Sequence, residues 1–413
     1  MNTNKNILLR GRGDIDPLSI QAYVAAGGFT ALRKVSEMKA QEVIEKIMAS
    51  GVKGRGGAEY PVGKKWLLIK QENKENYIVC NADEGEAGAF KDRELLTYVP
   101  LRVIEGMLIA AYTLTSKKGY IYLRGEYLKI YEMLKNIIAK VKNNGYFPKG
   151  FEIEVIVGAG AYICGEETAL ISSIENGIGE PSLKPPYPTQ RGLYGLPTLI
   201  NNVETFACIP GIMNGEGADT KLIALSGMVR NRGVFEISLD RYSVDDMINS
   251  NQFGKGSVNG EAVQFVQLGG QSGSLMFPEQ MHIPYGYKWM RMAGIGIGSG
   301  AITVYSGRVS IVEYCRNVIE FFTMESCGKC STCRIGLSYI AYLLNRLCCG
   351  NGNEGDVERI DAVAGQISQL AFCGLGKGAV NVLCSALRHR REQFLICEKD
   401  RSYFDKELSG RYI

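Results

Sequence analysis

Three cysteines at two-residue intervals, Cys327, Cys330 and Cys333, lie in the stretch 325–334. This spacing puts three sulfurs within one loop and the start of one helix, the reach needed to hold three irons of a single cluster. A fourth thiolate must then come from elsewhere. Among the twelve cysteines of the chain, Cys373 in the run Phe372-Cys373-Gly374-Leu375-Gly376 is the best placed. Zinc is the competing occupant, since thiolates also bind it tetrahedrally, although zinc sites more often use two separated C-x2-C pairs. The other eight, Cys80, Cys164, Cys208, Cys315, Cys348, Cys349, Cys384 and Cys397, are expected to be buried small apolar residues, the usual state of a free thiol. His282 and His389 read as structural or solvent-facing.

A second group of residues suits a nucleotide. From Gly51 to Trp66 five of sixteen positions are glycine, which lets backbone N–H groups turn toward an anion, and Arg55 and Lys65 add positive charge. A plain flexible surface loop is the alternative. Asp83, Glu84, Glu86 and Asp92 then follow a strand ending near Cys80. Carboxylates at a strand's carboxyl end repel phosphate but accept hydrogen bonds from ribityl, ribose or amide groups. In the run 158–170, Gly158 and Gly160 lack the third glycine of G-x-G-x-x-G, and Glu166 follows Gly165 where a P-loop needs lysine. An ordinary dinucleotide fingerprint and an ATPase loop are both excluded. What remains is a helix N-terminus carrying Glu166 and Glu167, favourable there and free to bind sugar hydroxyls. Five of the twelve prolines fall in 181–205, stiff enough to hold Tyr187 against a flat ring.

The elements that must position these residues follow from periodicity. Strands over 77–80, 119–123 and 151–157, alternating with helices over 101–118 and 126–143, predict an open α/β sheet. An amphipathic lead-in helix carries Val43, Ile44, Ile47 and Met48, with Ser36 as its candidate cap. Short strands over 221–228, 233–238, 263–268 and 301–305, with a helix near 244–248, predict a small α+β module, and the pattern from Ile311 onward is helical. The expected organisation is therefore an α/β domain with its lead-in over 1–215, an α+β module over 216–310 and a helical bundle over 311–413. With 413 residues, several domains are the prior. A net charge of +4, with scattered basic residues, excludes a nucleic-acid partner. The first ten residues lack the apolar core of a signal peptide and no run reaches the roughly 18 to 20 apolar residues of a membrane span, so a cytoplasmic protein without membrane insertion is expected.

Four stretches occur in order: G-R-G-G-A at 54–58, N-A-D-E-G-E at 81–86, G-A-G-A-Y-I-C-G-E-E-T-A-L at 158–170 and E-S-C-G-K-C-x2-C-R at 325–334. In these the chain resembles the NADH-binding, flavin-carrying subunit of respiratory complex I. The same module occurs in NAD-linked hydrogenases and NAD-dependent formate dehydrogenases, and the resemblance spans nearly the whole chain. It implies FMN surrounded by Gly54, Arg55, Gly56, Gly57, Lys65, Asn81, Asp83, Glu84, Gly165, Glu166, Asn201 and Asn202. It implies NAD(H) facing Tyr60, Glu86, Glu167, Lys184 and Tyr187, and a [4Fe–4S] cluster on Cys327, Cys330, Cys333 and Cys373. It further implies a ubiquitin-like (β-grasp) fold for the middle module. The implied function is an NADH dehydrogenase (diaphorase) subunit: hydride passes directly between NAD(H) and FMN, so no catalytic acid or base is expected, and single electrons leave through the cluster. The implied partners are a [2Fe–2S] small subunit and a catalytic iron–sulfur subunit of hydrogenase, formate dehydrogenase or complex I-like kind. Tyr60 and Tyr187 stand where the family usually has Phe, Ala87 and Ala89 replace Pro and Thr, and Glu59 replaces the last glycine of the loop. The tyrosines still stack, so little functional change is expected from them; Glu59 and the altered 87–89 segment motivate the alternative of a non-catalytic electron-relay or assembly subunit with a degenerate nucleotide site.

Overall fold

Three helices, α1 (Ile20–Ala25), α2 (Thr30–Ser36) and α3 (Ala40–Ala49), lead into α4 (Val62–Glu72) and the first strand, β1 (Tyr77–Ala82). The structure, a computed structural model, describes residues 6–399; the ends of the expected first and third segments, 1–5 and 400–413, lie outside it. Val43, Ile44 and Ile47 are buried as the pattern predicts, whereas Met48 is exposed. Ser36 does not cap α3: its hydroxyl donates to Arg33 O within the last turn of α2, and Lys39 is the N-cap instead. The lead-in helices are docked by a buried carboxylate. Glu105 of α6 (Pro100–Leu114) accepts hydrogen bonds from Tyr23 Oη and the N–H groups of Phe29 and Leu32.

β1, β2 (Lys118–Leu123), β3 (Glu152–Val157) and β4 (Thr198–Asn202) form one parallel sheet in the order β3-β2-β1-β4. Helices α5 (Lys91–Tyr98), α6, α7 (Leu128–Asn143), α8 (Glu167–Ile174) and α9 (Val203–Met213) make the connections. β1 and β4 are buried along most of their length because both faces are covered, as parallel sheets require. The chain runs outward from β1 to β3 and then returns to β4 on the other side of β1. That reversal opens a crevice at the carboxyl ends of β1 and β4, where ligands bind in open α/β sheets.

The middle of the chain builds a five-stranded mixed sheet, β6-β5-β9-β7-β8. Its strands are β5 (Thr220–Gly227), β6 (Gly233–Ser238), β7 (Val263–Leu268), β8 (Ser274–Met276) and β9 (Ala301–Ser306), with α10 (Val244–Asn249) and α11 (Tyr287–Met292) in the connections. β5 and β9 pair in parallel; the other ladders are antiparallel. Helices α12 (Ile311–Glu325), α13 (Ser331–Cys348), α14 (Asp356–Leu370), α15 (Gly374–Gly378) and α16 (Asn381–Lys399) complete the described chain.

Three apolar cores result. One lies between the lead-in helices, α6, α9 and one face of the parallel sheet. The second joins the other face, through Val79, Tyr122 and Ile200, to α8 and to α12–α16. The third fills the mixed sheet, around Ile223, Val266, Tyr285 and Ile302. Among the described residues no single helix is long and apolar enough to cross a membrane.

Candidate functional site

The glycine loop closes over the crevice. A Cβ on Gly56 would stand 3.2 Å from Asn202 Cβ, and Gly57 holds φ at +116°, so the loop's close approach depends on glycine at both positions. Asn202 ends β4 and caps α9 through Glu204 N, so the loop meets a helix N-terminus. Such an end presents free N–H groups and positive dipole charge to an anion. The Arg55 side chain does not share this task as expected. It turns inward, 1% exposed, and donates to Tyr287 Oη, Ala218 O and Thr220 O, pinning the loop to the mixed sheet. Its two terminal nitrogens are satisfied by two backbone carbonyls and the Tyr287 hydroxyl, while Nε is buried without a hydrogen-bond partner.

At the carboxyl end of β1, Asn81 donates to Gly165 O at 2.9 Å and accepts from Asp83 N. Asp83 Oδ2 is buried without a hydrogen-bond partner, and burial pushes its carboxyl up to about 7 despite the nearby Arg124 guanidinium. A buried acceptor left without a protein donor fits a ligand offering hydroxyl or ring N–H groups, as FMN does. Glu84 behaves differently from expectation. Its carboxylate accepts from Asp92 N and Arg93 N, both at 3.0 Å, and from Tyr127 Oη, so it serves the N-terminus of α5 rather than the crevice. Burial and the neighbouring Asp92 push it up to about 7.

Glu166 is likewise engaged rather than free for sugar hydroxyls. One oxygen caps α8 through Thr168 N and Ala169 N, and the other accepts Lys184 Nζ at 2.5 Å. Burial raises its pKa, but hydrogen bonds from Lys184 and Thr168 outweigh that and hold it below the usual carboxylate range. Lys65 pairs with Glu167 and donates to Ile200 O at 2.7 Å. The residues expected around FMN and around NAD(H) therefore meet at two ion pairs, Lys65–Glu167 and Lys184–Glu166. Asn201 is buried, and with its amide oxygen turned to Trp66 Nε1 (3.1 Å) it locks β4 to α4. Tyr60 and Tyr187 are 41% and 54% exposed, leaving their ring faces available. Glu59 has φ of +56°, the left-handed region that a glycine enters freely, and its carboxylate pairs with Arg291 of α11 at 3.2 Å. It therefore turns toward the mixed sheet and not into the crevice.

Sequence reasoning missed three residues that join the crevice to the rest of the molecule. Glu86 Oε1 accepts from Tyr162 Oη at 2.6 Å and from Ser272 Oγ. Tyr162 N donates to Glu325 Oε2 at 3.0 Å, two residues before the first cysteine of the triplet. Tyr162 and Glu325 lie inside the quoted motifs, but Ser272 carries no local signal.

The cysteines are gathered by helix starts. Cys330 is the N-cap of α13, Cys333 lies in its first turn, and Cys373 is the N-cap of α15. A Cβ on Gly376 would stand 3.6 Å from Cys333 Sγ, so the two helices meet at the thiols. Burial pushes Cys333 up to about 11, and Cys330, Cys373 and Cys327 add to the shift. Mutual repulsion of this kind is what bound metal relieves. Cys333 lies in the second apolar core and Cys327, Cys330 and Cys373 pack against it; three thiols from one short loop and helix start with a fourth from a second helix suit an iron–sulfur cluster better than the two separated C-x2-C pairs usual for zinc. Of the remaining cysteines, Cys80, Cys164, Cys208, Cys315, Cys348 and Cys397 are buried as expected and Cys384 is half-buried, but Cys349 at the end of α13 is exposed.

Comparison with known proteins agrees with this geometry. Residues 47–211 match the model of the Nuo51 FMN-binding domain, and residues 313–396 match the NADH-ubiquinone oxidoreductase-F iron–sulfur binding region. An NADH-quinone oxidoreductase subunit of Rhizobium meliloti is 38% identical over 94% of this chain and 96% of that protein. The NADP-reducing hydrogenase subunit HndC of Solidesulfovibrio fructosivorans is 37% identical over 92% of this chain and 81% of that subunit. Among solved structures, an NAD+-reducing [NiFe]-hydrogenase in the H2-reduced state superposes with a TM-score of 0.84 at 28% identity, over 99% of this chain and 70% of that one. The chain belongs to the family of FMN- and [4Fe–4S]-carrying NADH dehydrogenase subunits found in NADH-quinone oxidoreductases.

Proposed function

We propose that this chain is the NADH dehydrogenase subunit of a multi-subunit oxidoreductase, exchanging hydride with NAD(H) at FMN and passing single electrons to partner subunits. The observation that carries this reading is the meeting, in one chain, of a glycine-lined crevice at a sheet reversal and a four-thiol pocket joined to it through Glu86, Tyr162 and Glu325. FMN, when bound, splits a two-electron donation into single electrons, and the cluster carries them outward. The chain's own residues bind and orient. The backbone of 54–57, the N-terminus of α9, Lys65, Asn81 and Asp83 hold the flavin, with Glu84, Glu166, Asn201 and Asn202 fixing the surrounding turns. Glu86, Glu167, Lys184 and the rings of Tyr60 and Tyr187 receive NAD(H). Cys327, Cys330, Cys333 and Cys373 hold the cluster.

On this reading the chain divides into an FMN- and NADH-binding domain over 1–215, a ubiquitin-like module over 216–310 and a helical bundle over 311–413. Support for the middle module comes from parallel, adjacent β5 and β9 flanked by antiparallel β6 and β7. The partners are a [2Fe–2S] small subunit and a catalytic iron–sulfur subunit, and free thiols accord with the reducing cytoplasm. The relay alternative loses one of its two motives, since Glu59 is engaged by Arg291 outside the crevice; the altered segment at Ala87 and Ala89 is the other. Flavin and iron analysis of the purified full chain, followed by anaerobic addition of NADH, tests the proposal: bound flavin should bleach. Protein that holds iron but no reducible flavin would sink it in favour of the relay.

A further inference from the structure

Beneath the glycine loop lies a buried charge group that the proposed function leaves without a task. Lys91 Nζ contacts Asp92 at 2.7 Å and Glu204 at 3.0 Å, and all three side chains are at most 4% exposed. Arg55 Nε lies 4.0 Å from Glu204, and Lys221 of β5 lies 3.9 Å from it. Three cations thus face two carboxylates, and beyond Asp92 the Glu84 carboxyl is pushed up to about 7 by burial and by Asp92. Lys221 is the unbalanced member: it is 0% exposed and its ammonium has no hydrogen-bond acceptor among the described residues. A buried cation in this state is expensive unless something nearby supplies negative charge.

The position of Lys221 says what that something is. A Cβ on Gly300 would stand 3.5 Å from Lys221 Nζ, so the ammonium lies directly under the 298–300 turn. A Cβ on Gly57 would stand 3.8 Å from Gly298 and Ser299, so that turn abuts the glycine loop. Two glycine-rich turns, one from each sheet, therefore converge over the excess cation, with Ser299 Oγ buried there and unpartnered.

We propose that Lys221, contributed by the mixed sheet, is a positioning residue for the flavin's phosphate, supplying from beneath the joined 54–57 and 298–300 turns the charge that the phosphate balances. This rests on the FMN reading of the crevice. It makes phosphate retention a joint property of two sheets, and it assigns Lys221 no contact with the reacting ring. Phosphate, dianionic at neutral pH, is the one part of FMN that riboflavin lacks.

The test titrates the full chain, stripped of flavin, with FMN and with riboflavin. Lys221→Met is expected to weaken FMN about tenfold or more while riboflavin changes less than about twofold. Equal losses for both ligands, as a merely structural role gives, or undiminished FMN affinity, overturn the proposal. If Lys221→Met does not fold, the unaltered chain decides. Burial pulls Lys221 down to about 8 against the pull of Glu204, with Lys91 and Arg55 lowering it further and Asp92 raising it. The ratio of FMN to riboflavin affinity should then fall as pH rises from about 7 to about 9, and a flat ratio refutes the inference. An unaltered chain that takes up neither flavin refutes the FMN reading itself.

Discussion

At the scale of single residues, Glu167 separates two outcomes that the family's chemistry allows. It opens α8, pairs with Lys65 and keeps about a third of its side chain exposed, so one carboxylate faces both the flavin side and the open mouth of the crevice. A carboxylate beside the adenosine ribose accepts its hydroxyls and repels a 2′-phosphate. Glu167→Gln removes that repulsion and also releases Lys65, a cation suited to the extra phosphate. The NADPH-to-NADH ratio of kcat/KM should therefore rise by about tenfold or more. An unchanged ratio in steady-state assays would remove Glu167 from nucleotide selection.

At the scale of elements, the turn after β1 concentrates buried acid. Asp83 and Glu84 are both raised to about 7 by burial, so each holds its proton more tightly in the folded chain than in the unfolded one. Their stabilising contribution is fully present below the unfolded value of about 4 and is lost as pH rises through about 7. Urea unfolding of the flavin-free chain should accordingly show lower stability at pH 8 than at pH 6, and Glu84→Gln should flatten the difference. A rise in stability over that interval, or a wild-type slope in the variant, contradicts this account. β1 and β2 were legible because each is a mainly apolar run between turn residues, β3 because glutamate alternates with β-branched residues, and α7 because its apolar positions recur at helical spacing. β4 was not, since Thr198–Asn202 is short and directly follows Pro197 inside a proline-rich segment. Its assignment comes only from pairing with β1, a contact between residues more than a hundred positions apart. Glu84, Glu166 and Arg55 show the same limit among site residues. Their motifs mark the crevice, but whether a carboxylate or guanidinium faces a ligand or a helix end is set by tertiary packing.

At the scale of the whole molecule, entry and exit of electrons are built on different elements and joined by hydrogen bonds. Crevice residues sit on the parallel sheet and its loops, whereas the thiols sit at the starts of α13 and α15, and both groups border the second apolar core. The cysteine triplet announced its site in the sequence because three ligands are local. The fourth was only the best placed of several candidates, because Cys373 is brought up when the start of α15 meets the start of α13, where Gly376 permits the approach. This separation makes the two functions dissectable. Cys373→Ser replaces a thiolate ligand by a hydroxyl while leaving the N-cap position of α15 polar, so the helix start is retained. Iron content and the electron paramagnetic resonance signal of the reduced cluster should drop, while flavin content and its anaerobic bleaching by NADH persist. Electron delivery to an external one-electron acceptor that takes electrons at the cluster should fall with the iron. Full iron and an unaltered signal in Cys373→Ser would show that another thiol closes the cluster, and simultaneous loss of flavin would show that crevice and thiol pocket fold as one unit.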